Sequence, residues 1–221
     1  MKKLLTILFA ACLLLNNPVV VKAQVIANSA NIGSTSESST SLWPEDAPPV
    51  TSEAAIVMEA STGAILYSKN IHEEFYPASI TKILTTLLAI ENSSLSEIVT
   101  FSKKAVFDVD LDSSRIGIDV GEELTMEQSL YGIMLASANE VSYAVAEHIS
   151  GDVDSFADLM NARAKELGCT NTNFVNPNGL PDPNHYTSAY DMALISRAAI
   201  NNDIFREITG TRTYKIGRAH V

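Results

Sequence analysis

The order of apolar and polar positions divides the chain into a short β region followed by a largely helical region. Residues 54–60 and 64–68 are apolar runs of strand length joined by Ser61-Thr62-Gly63, so an antiparallel hairpin is predicted. The first run is almost continuously apolar, which is typical of a strand buried on both faces. Residues 98–101 are a further strand-like run in an otherwise irregular stretch, and residues 211–215 could begin one more strand.

Several later segments carry the 3.6-residue period of amphipathic helices. Three helix boundaries are marked by residues typical of such positions: Pro77 in a first turn, Gly168 after a last turn, and Ser188 as an N-cap. We predict helices over residues 77–91, 154–167 and 188–200, and a longer helical stretch over residues 126–149.

The longer stretch allows two interpretations. A capping box stands at its start, over residues 125–128. Ser137 and Glu140 repeat that spacing inside the apolar run, which predicts a second capping box and a break between two helices. A break would leave the Ser137 and Asn139 side chains on a turn, free for chemistry. One unbroken buried helix with two small polar residues explains the pattern equally well at this point.

Ser79 and Lys82 carry the first candidate chemistry. They stand three residues apart where an apolar helix begins, so their side chains are predicted to share one face of its first turn. A hydroxyl beside a potential base is the minimum for acyl transfer, and the free N–H groups of a helix start favour a developing oxyanion. Alternatively, Ser79 is only an N-cap and Lys82 a solvated helix residue.

Composition narrows the function classes. The 221 residues suffice for one domain with a sizeable core. The formal net charge of −11 disfavours a nucleic-acid-binding protein, because such proteins carry a basic surface.

The N-terminus has the pattern of a secretory signal. Two lysines are followed by an apolar core over residues 4–15 and by small residues up to Ala23, so a signal peptide is predicted over residues 1–23. Its removal would take away three lysines and no acids, changing the formal charge from −11 to −14. An uncleaved anchor and a lipoprotein signal at Cys12 are the alternatives; the second is disfavoured because apolar residues continue beyond that cysteine.

Residues 24–50 are rich in Ser, Thr, Asn and Pro and are predicted to be a flexible linker, with the first contact to the fold near Trp43 and Pro44. Cleavage of the signal would leave Cys169 as the sole cysteine, so no intramolecular disulfide is expected. Cys169 lacks a basic neighbour in the sequence and is predicted to be a small buried apolar residue.

Together these segments resemble the D-alanyl-D-alanine carboxypeptidases of the penicillin-binding protein superfamily, the S11 serine peptidases. Residues 79–82 match the S-x-x-K motif, preceded by Pro-Ala, and residues 137–139 match S-x-N. The hairpin, the turn over residues 174–180 and the helix start over residues 185–192 also match. The resemblance implies a catalytic domain over residues 51–215 with the α+β penicillin-binding/β-lactamase-like transpeptidase fold, an antiparallel sheet packed by helices with a helical lobe over about residues 92–186.

The resemblance also implies roles for four residues. Ser79 is the acyl-ester nucleophile, Lys82 its general base, Ser137 a proton relay, and Asn139 positions Lys82 and the substrate amide. The implied substrate is a peptidoglycan stem peptide ending in D-Ala-D-Ala, with β-lactams as covalent inhibitors and with no cofactor or metal. Such a protein would act in cell-wall synthesis and cell shape, in the bacterial cell envelope, with membrane association through a C-terminal segment that this chain lacks.

The third family motif, K-T-G, has no counterpart here. The two Thr-Gly pairs, at residues 62–63 and 209–210, are preceded by Ser61 and Ile208. Residues 216–221 depart from the family pattern and look like a translated adapter, so we interpret them as a non-native tail. We therefore expect a C-terminally truncated domain with an incomplete sheet, which folds poorly and is inactive. Without the strand that carries K-T-G, we expect Lys82 to titrate closer to a free lysine.

Other function classes match the sequence less well. A class A β-lactamase would carry Asp where this chain has Ala138, and its E-x-x-L-N pattern is not found. A module that binds penicillin or wall peptides without turnover remains an alternative. A metal hydrolase is disfavoured because His72, His148 and His185 stand alone in the sequence, and a Ser-His-Asp hydrolase because G-x-S-x-G does not occur.

Overall fold

The computed structural model describes residues 49–109 and 112–217. The predicted signal peptide, nearly all of the predicted linker with Trp43 and Pro44, and residues 218–221 lie outside these ranges. The described strands are β1 Ala55–Met58, β2 Ile65–Lys69, β3 Ile98–Thr100 and β4 Glu123–Thr125. The described helices are α1 Lys82–Asn92, α2 Lys103–Phe107, α3 Met126–Ala136, α4 Asn139–Ser150, α5 Val153–Glu166, α6 Ala189–Ile200 and α7 Asp203–Gly210.

The predicted hairpin is confirmed. β1 pairs antiparallel with β2, from Ala55 opposite Lys69 to Met58 opposite Ile65, with an irregularity at Val57/Met58. The prediction that the first strand is buried on both faces was wrong, since Val57 is 38% exposed. In the described structure β1 and β2 form a sheet of their own, and α6 packs against β1.

The helices enclose the core. α1 contacts α3, α4, α5, α6 and α7, so it is the central helix of the described fold. Its residue Ala89 belongs to one apolar cluster with α3 and α4, and Leu84, Leu87 and Leu88 belong to a second cluster with α5 and α6. Because buried leucines contribute roughly 1.5–3 kcal/mol each, this packing fixes the start of α1 in place.

The break between two helices is confirmed. α3 ends at Ala136, Ser137 has φ 55°, and α4 begins at Asn139. The capping box at the start of α3 is also confirmed, since Thr125 and Gln128 exchange both hydrogen bonds. The second box was wrong: Ala138 is the N-cap of α4, and no side chain caps it. The Glu140 carboxylate instead accepts the backbone N–H groups of Ile116 and Gly117, at 2.7 and 3.0 Å, so a distant loop uses the group that local spacing assigned to a cap.

Two helices and one strand were missed: α2, α7 and β4. The two asparagines predicted to end α6 instead lead into α7, whose N-cap Asn202 accepts from the N–H groups of Ile204 and Phe205. The strand predicted over residues 211–215 was wrong. That segment is irregular, and its Tyr214 stacks on Tyr131 of α3 with ring centroids 3.7 Å apart.

The other predicted helices are confirmed as α1, α5 and α6 within a few residues. Ser188 caps α6 by accepting from Asp191 N–H at 3.1 Å, as its position predicts. Within residues 49–109 and 112–217, no helix combines the length and the apolar character needed to cross a membrane.

Candidate active site

Ser79 lies on a 3-10 turn, Ala78–Thr81, that leads directly into α1. Ala78 has φ 49°, a left-handed conformation that a residue with a Cβ adopts at a cost of about 1–2 kcal/mol. Ser79 is exposed, whereas Lys82 is only 2% exposed. The two side chains meet as their spacing predicts, with Lys82 Nζ 3.2 Å from Ser79 Oγ.

Lys82 Nζ has two further hydrogen-bond partners. It donates to Asn139 Oδ1 at 2.7 Å and to the backbone carbonyl of Asn178 at 2.6 Å. Both oxygens can only accept hydrogen bonds. A neutral amine has two N–H donors and one lone pair, so donation to these two oxygens leaves the lone pair facing Ser79 Oγ. That is the geometry of a base placed to receive the hydroxyl proton.

The environment of Lys82 favours this neutral form. Burial lowers the pKa of the Lys82 amine from 10.5 to about 8, and the nearby negative charge of Glu140 opposes that shift. With this pKa about a tenth of the lysines are neutral at pH 7. The helices of this chain thus already remove Lys82 from water and lower the pKa of its amine. That this pKa lies closer to a free lysine's than in a full-length relative stays a prediction.

Ser137 and Asn139 approach from the α3–α4 break. The left-handed backbone at Ser137 turns the chain sharply, and Ser137 Oγ donates to Ser79 Oγ at 3.0 Å. The Asn139 N–H donates to the Ser114 carbonyl at 2.9 Å, which ties the start of α4 to the preceding loop. The structure thus brings the four predicted site residues into one hydrogen-bonded cluster, while their chemical roles stay predictions.

Sequence reasoning missed the contribution of Asn178 and Gly179. It identified their segment as a turn, but nothing in a side-chain motif reveals a backbone carbonyl aimed at a lysine 96 positions earlier. Gly179 has φ 83°, and a Cβ there would lie 1.9 Å from the Ala78 carbonyl oxygen. Glycine is therefore required where this turn meets the turn that carries Ser79. The available signal was the Asn-Gly pair itself.

None of the described hydrogen bonds joins the remaining candidate groups to the Ser79 hydroxyl. Cys169, predicted to be buried, is half-buried, and burial raises the pKa of its thiol to about 12, which disfavours the reactive thiolate. His148 pairs with Glu97 at 2.8 Å, and His185 is buried and hydrogen-bonded. In the part of the chain that the structure describes, no group of three or more His, Cys, Asp or Glu residues could hold a metal ion.

A serine hydroxyl next to a buried, weakly basic amine and a second hydroxyl is suited to nucleophilic acyl transfer. The sequence model of the peptidase S11 family, described as "D-alanyl-D-alanine carboxypeptidase", matches residues 43–219. The chain belongs to this family. The family resemblance drawn from the two short motifs is thereby confirmed.

Curated relatives carry the family name. The chain is 41% identical over 161 residues to the D-alanyl-D-alanine carboxypeptidase DacF of Bacillus subtilis, covering 72% of this chain and 41% of the relative. It is 35% identical over 160 residues to DacA of Haemophilus influenzae, covering 70% of this chain and 41% of the relative. The chain thus spans about two fifths of the length of these S11 proteins.

Solved structures of S11 proteins share the fold. Penicillin binding protein 5 of Haemophilus influenzae matches with a TM-score of 0.66 and 34% identity, covering 70% of this chain and 46% of that one. A mutant of a Streptomyces DD-transpeptidase matches with a TM-score of 0.72 and 30% identity, covering 76% and 68%. The expected α+β penicillin-binding fold is therefore confirmed for the matched part of the chain.

Proposed function

We propose that these residues form the nucleophilic half of a serine-type D-Ala-D-Ala carboxypeptidase, which removes the terminal D-Ala from peptidoglycan stem peptides through a Ser79 acyl-enzyme. The observation that carries the proposal is the arrangement at Lys82 Nζ, whose two acceptor partners leave its lone pair directed at Ser79 Oγ. The names of the S11 relatives support the substrate class.

In the acylation step, Ser79 Oγ attacks the carbonyl carbon of the penultimate D-Ala while its proton passes to Lys82 Nζ. The tetrahedral intermediate collapses as the C–N bond breaks, and the leaving amine takes a proton. We assign the relay of that proton from Lys82 to the amine to Ser137, whose Oγ lies 3.0 Å from Ser79 Oγ. Free D-Ala departs, and the remaining peptide is held as an ester of Ser79.

In the deacylation step, water attacks the ester carbonyl and gives up a proton to Lys82. The bond from the acyl carbon to Ser79 Oγ breaks, and the serine hydroxyl is restored with the proton that Lys82 holds. β-Lactams would acylate Ser79 in the first step. Because the amine of the opened ring stays attached to the acyl group, hydrolysis in the second step would be slow and the acyl-enzyme would persist. The same residues therefore predict covalent inhibition by penicillins.

The sequence led us to expect an inactive chain, and that expectation is untested. Because Lys82 is buried beside Ser79, we instead propose that the 221-residue chain is slow and that it acylates more readily than it turns over. The chain has no Lys-Thr-Gly triplet, and in the described residues Lys82 is the one cation in the hydrogen-bond network of Ser79. The family resemblance implies that the strand with K-T-G supplies both the cation for the substrate carboxylate and one of the two oxyanion donors. Loss of one oxyanion donor typically costs about 10²–10³ in rate.

The test combines two measurements on the full chain. A fluorescent penicillin should label the protein and leave its adduct on the tryptic peptide that contains Ser79, and Ser79→Ala should abolish the label. Release of D-Ala from a synthetic D-Ala-D-Ala peptide should be detectable in a coupled assay, with a slower turnover than in a full-length S11 carboxypeptidase assayed in parallel.

Each alternative function has its own outcome. Stable penicillin labelling without any D-Ala release would favour the binding module. Rapid hydrolysis of a chromogenic cephalosporin would favour a β-lactamase. Absence of any Ser79 adduct under conditions where the protein is folded would refute the proposal.

We also propose that the protein acts outside the cytoplasm, in the cell envelope. The support is the predicted signal peptide over residues 1–23, which the structure does not describe. Expression of the full chain in a bacterium, followed by fractionation and N-terminal sequencing, should yield an extracytoplasmic product that begins near Gln24. A product that keeps residues 1–23 in the membrane fraction would indicate an uncleaved anchor instead.

A further inference from the structure

A buried histidine joins the two turns that meet at the active site. His185 is 1% exposed, and its Nε2 lies 2.9 Å from Thr81 Oγ1, on the 3-10 turn that carries Ser79. Its Nδ1 lies 3.1 Å from the backbone nitrogen of Val175. His185 does not touch Ser79 or Lys82 through any described hydrogen bond, and the reaction steps above do not use it.

The hydrogen bonds decide which tautomer is present. A backbone N–H can only donate, so His185 Nδ1 is the acceptor for Val175 and the ring proton of neutral histidine sits on Nε2. Nε2–H therefore donates to Thr81 Oγ1. Burial lowers the pKa of His185 to about 4, with the nearby charge of Asp182 opposing the shift, so this neutral tautomer persists at neutral pH.

Two more contacts fasten the same pair of turns. Thr85 Oγ1, one helical turn beyond Thr81, donates to the Pro177 carbonyl at 2.6 Å. Gly179 also approaches the Ala78 carbonyl so closely that a Cβ on Gly179 would lie 1.9 Å from its oxygen. The Asn178 carbonyl, which accepts from Lys82 at 2.6 Å, sits in the stretch so fastened. A shift of the 176–180 turn would move this acceptor directly.

We propose that His185, acting through Thr81, is a positioning residue that holds the Asn178 carbonyl against the Lys82 amine and keeps water out of that contact. The contacts His185–Thr81 and Thr85–Pro177 are termed the latch below. With the latch closed, both N–H groups of neutral Lys82 are occupied and its lone pair faces Ser79. With the latch open, water can replace the carbonyl, the amine regains its solvation and the lone pair loses its fixed direction.

This inference rests on the proposed function, because it concerns the proposed base, but the titration of Lys82 tests it without any need for activity. A residue that only stabilised the fold would lower the melting temperature without changing how the folded protein titrates or reacts. A latch changes the titration of Lys82 in the folded protein. Glu140 is the charged side chain that acts on Lys82, and Asp182 the one that acts on His185; neither is altered in the variants below.

The experiment removes single hydroxyls from α1 and the turn before it. Thr81→Val removes the acceptor of His185, and Thr81→Ser restores a hydroxyl. Thr85→Val removes the second contact and serves if Thr81→Val does not fold. Thr86→Val is the matched control, because Thr86 is a fully buried threonine next in sequence whose hydroxyl has no hydrogen-bond partner in the described structure.

Two readouts are used on the full chain. The first follows the 13Cε resonance of Lys82 in selectively labelled protein as a function of pH, which needs no activity. The second measures the rate constant for acylation by a fluorescent penicillin. Melting temperatures show that each variant is folded under the conditions used.

We expect Lys82 to titrate near pH 8 in the wild type and in Thr86→Val. In Thr81→Val the titration should move upward, toward ordinary lysine, by about half a pH unit or more. The acylation rate constant should fall about tenfold in Thr81→Val and less in Thr85→Val, since misplacement of a catalytic group by a fraction of an ångström is costly. Thr81→Ser should recover most of both properties.

The outcomes separate the two proposals. If the wild type forms no penicillin adduct, the proposed function fails, while the Lys82 titration still decides on the latch. If folded Thr81→Val and Thr85→Val match Thr86→Val in the titration, the latch is overturned, whatever the acylation rates are.

Discussion

The helical region, residues 81–210, and the β1–β2 hairpin contain similar apolar side chains but bury them to different extents. Leu84 of α1 is 0% exposed, whereas Leu66 of β2 is 43% exposed. The helical region encloses two apolar clusters. The hairpin borders an open groove of about 470 Å³ that it shares with α6. One region is a closed core, and the other is a half-covered surface.

The candidate active site lies in the region with the closed core. Lys82, Asn139 and Asn178 belong to the helical region, and Ser79 stands at its edge. None of the described hydrogen bonds of this cluster involves β1 or β2. The difference teaches that the hydrogen bonds of the proposed nucleophile and base all come from the helical region and the turn before it, and none from the hairpin sheet. Changes in the two regions should therefore have separable effects.

The largest contrast is expected between two glycines with nearly the same φ, 83° at Gly179 and 78° at Gly63. Gly179→Ala would place a Cβ 1.9 Å from the Ala78 carbonyl oxygen, whereas at Gly63, in the hairpin loop, the nearest atom is the flexible Arg197 guanidinium at 2.9 Å. We expect Gly179→Ala to lower the free energy of unfolding by about 4 kcal/mol or more and to abolish penicillin labelling. Gly63→Ala should cost about 1–2 kcal/mol and keep the labelling.

Urea unfolding gives the free energy of unfolding of both glycine variants, and labelling by the fluorescent penicillin under native conditions shows whether Ser79 still reacts. If Gly63→Ala lost labelling as completely as Gly179→Ala while still folded, the hairpin would have to support the site, and the separation of the two regions would be wrong.

A matched pair of leucines measures the difference in packing. Leu84→Ala should destabilise the protein by about 2–5 kcal/mol, because it leaves a cavity in a closed core. Leu66→Ala should cost less than about 1 kcal/mol, because the side chain is already half in water. Chemical denaturation of both variants provides the values. Equal losses of unfolding free energy would show that Leu66 is buried in solution.

The pH dependence of acylation tests whether burial by the helical region alone determines the pKa of Lys82. With Lys82 as the proposed base, its neutral form reacts, so the acylation rate should rise about tenfold per pH unit below the pKa and level off above about pH 8. Leu66→Ala should keep the same inflection, since its side chain lies in the hairpin. A wild-type rate that still rises steeply between pH 9 and 10 would mean that burial by the helices does not lower the pKa of this amine.

The smallest effect concerns the charge next to the base. Glu140 favours the protonated lysine, and its Oε1 accepts from the N–H groups of Ile116 and Gly117. Glu140→Gln keeps an acceptor oxygen and removes the charge, so the inflection for acylation should move to lower pH by about half a pH unit. An unchanged or upward-shifted inflection, measured with the same penicillin assay, would exclude this electrostatic role.

Local sequence signals predicted much of this fold. The Thr125–Gln128 capping box, the Ser188 cap and the glycine after α5 each act within one helical turn, so the residues themselves carry the information. The errors came from distant partners. Glu140 has the spacing of a cap, yet two N–H groups of a loop more than 20 residues earlier occupy its carboxylate. Tyr214 sits in a strand-like run, yet it stacks on Tyr131 instead of pairing.

The candidate site shows the same limit. Spacing alone predicted that Ser79 and Lys82 meet, because residues three apart share a helix face. The pKa of Lys82 could not be read in that way, since it depends on burial by helices far along the chain. The Asn178 carbonyl was equally hidden, because every residue carries a carbonyl and only the folded turn gives this one a partner.

The left-handed backbone at Ser137 limits which residue can supply its hydroxyl. Threonine carries the same functional group, but its branched Cβ is disfavoured at φ 55°. Glycine and asparagine accept that backbone readily and lack the hydroxyl. Serine is thus the residue that satisfies both the bend between α3 and α4 and the chemistry proposed there. At this position an exchange of serine for threonine is not a conservative substitution, and a library built for altered substrates would lose little by leaving it fixed.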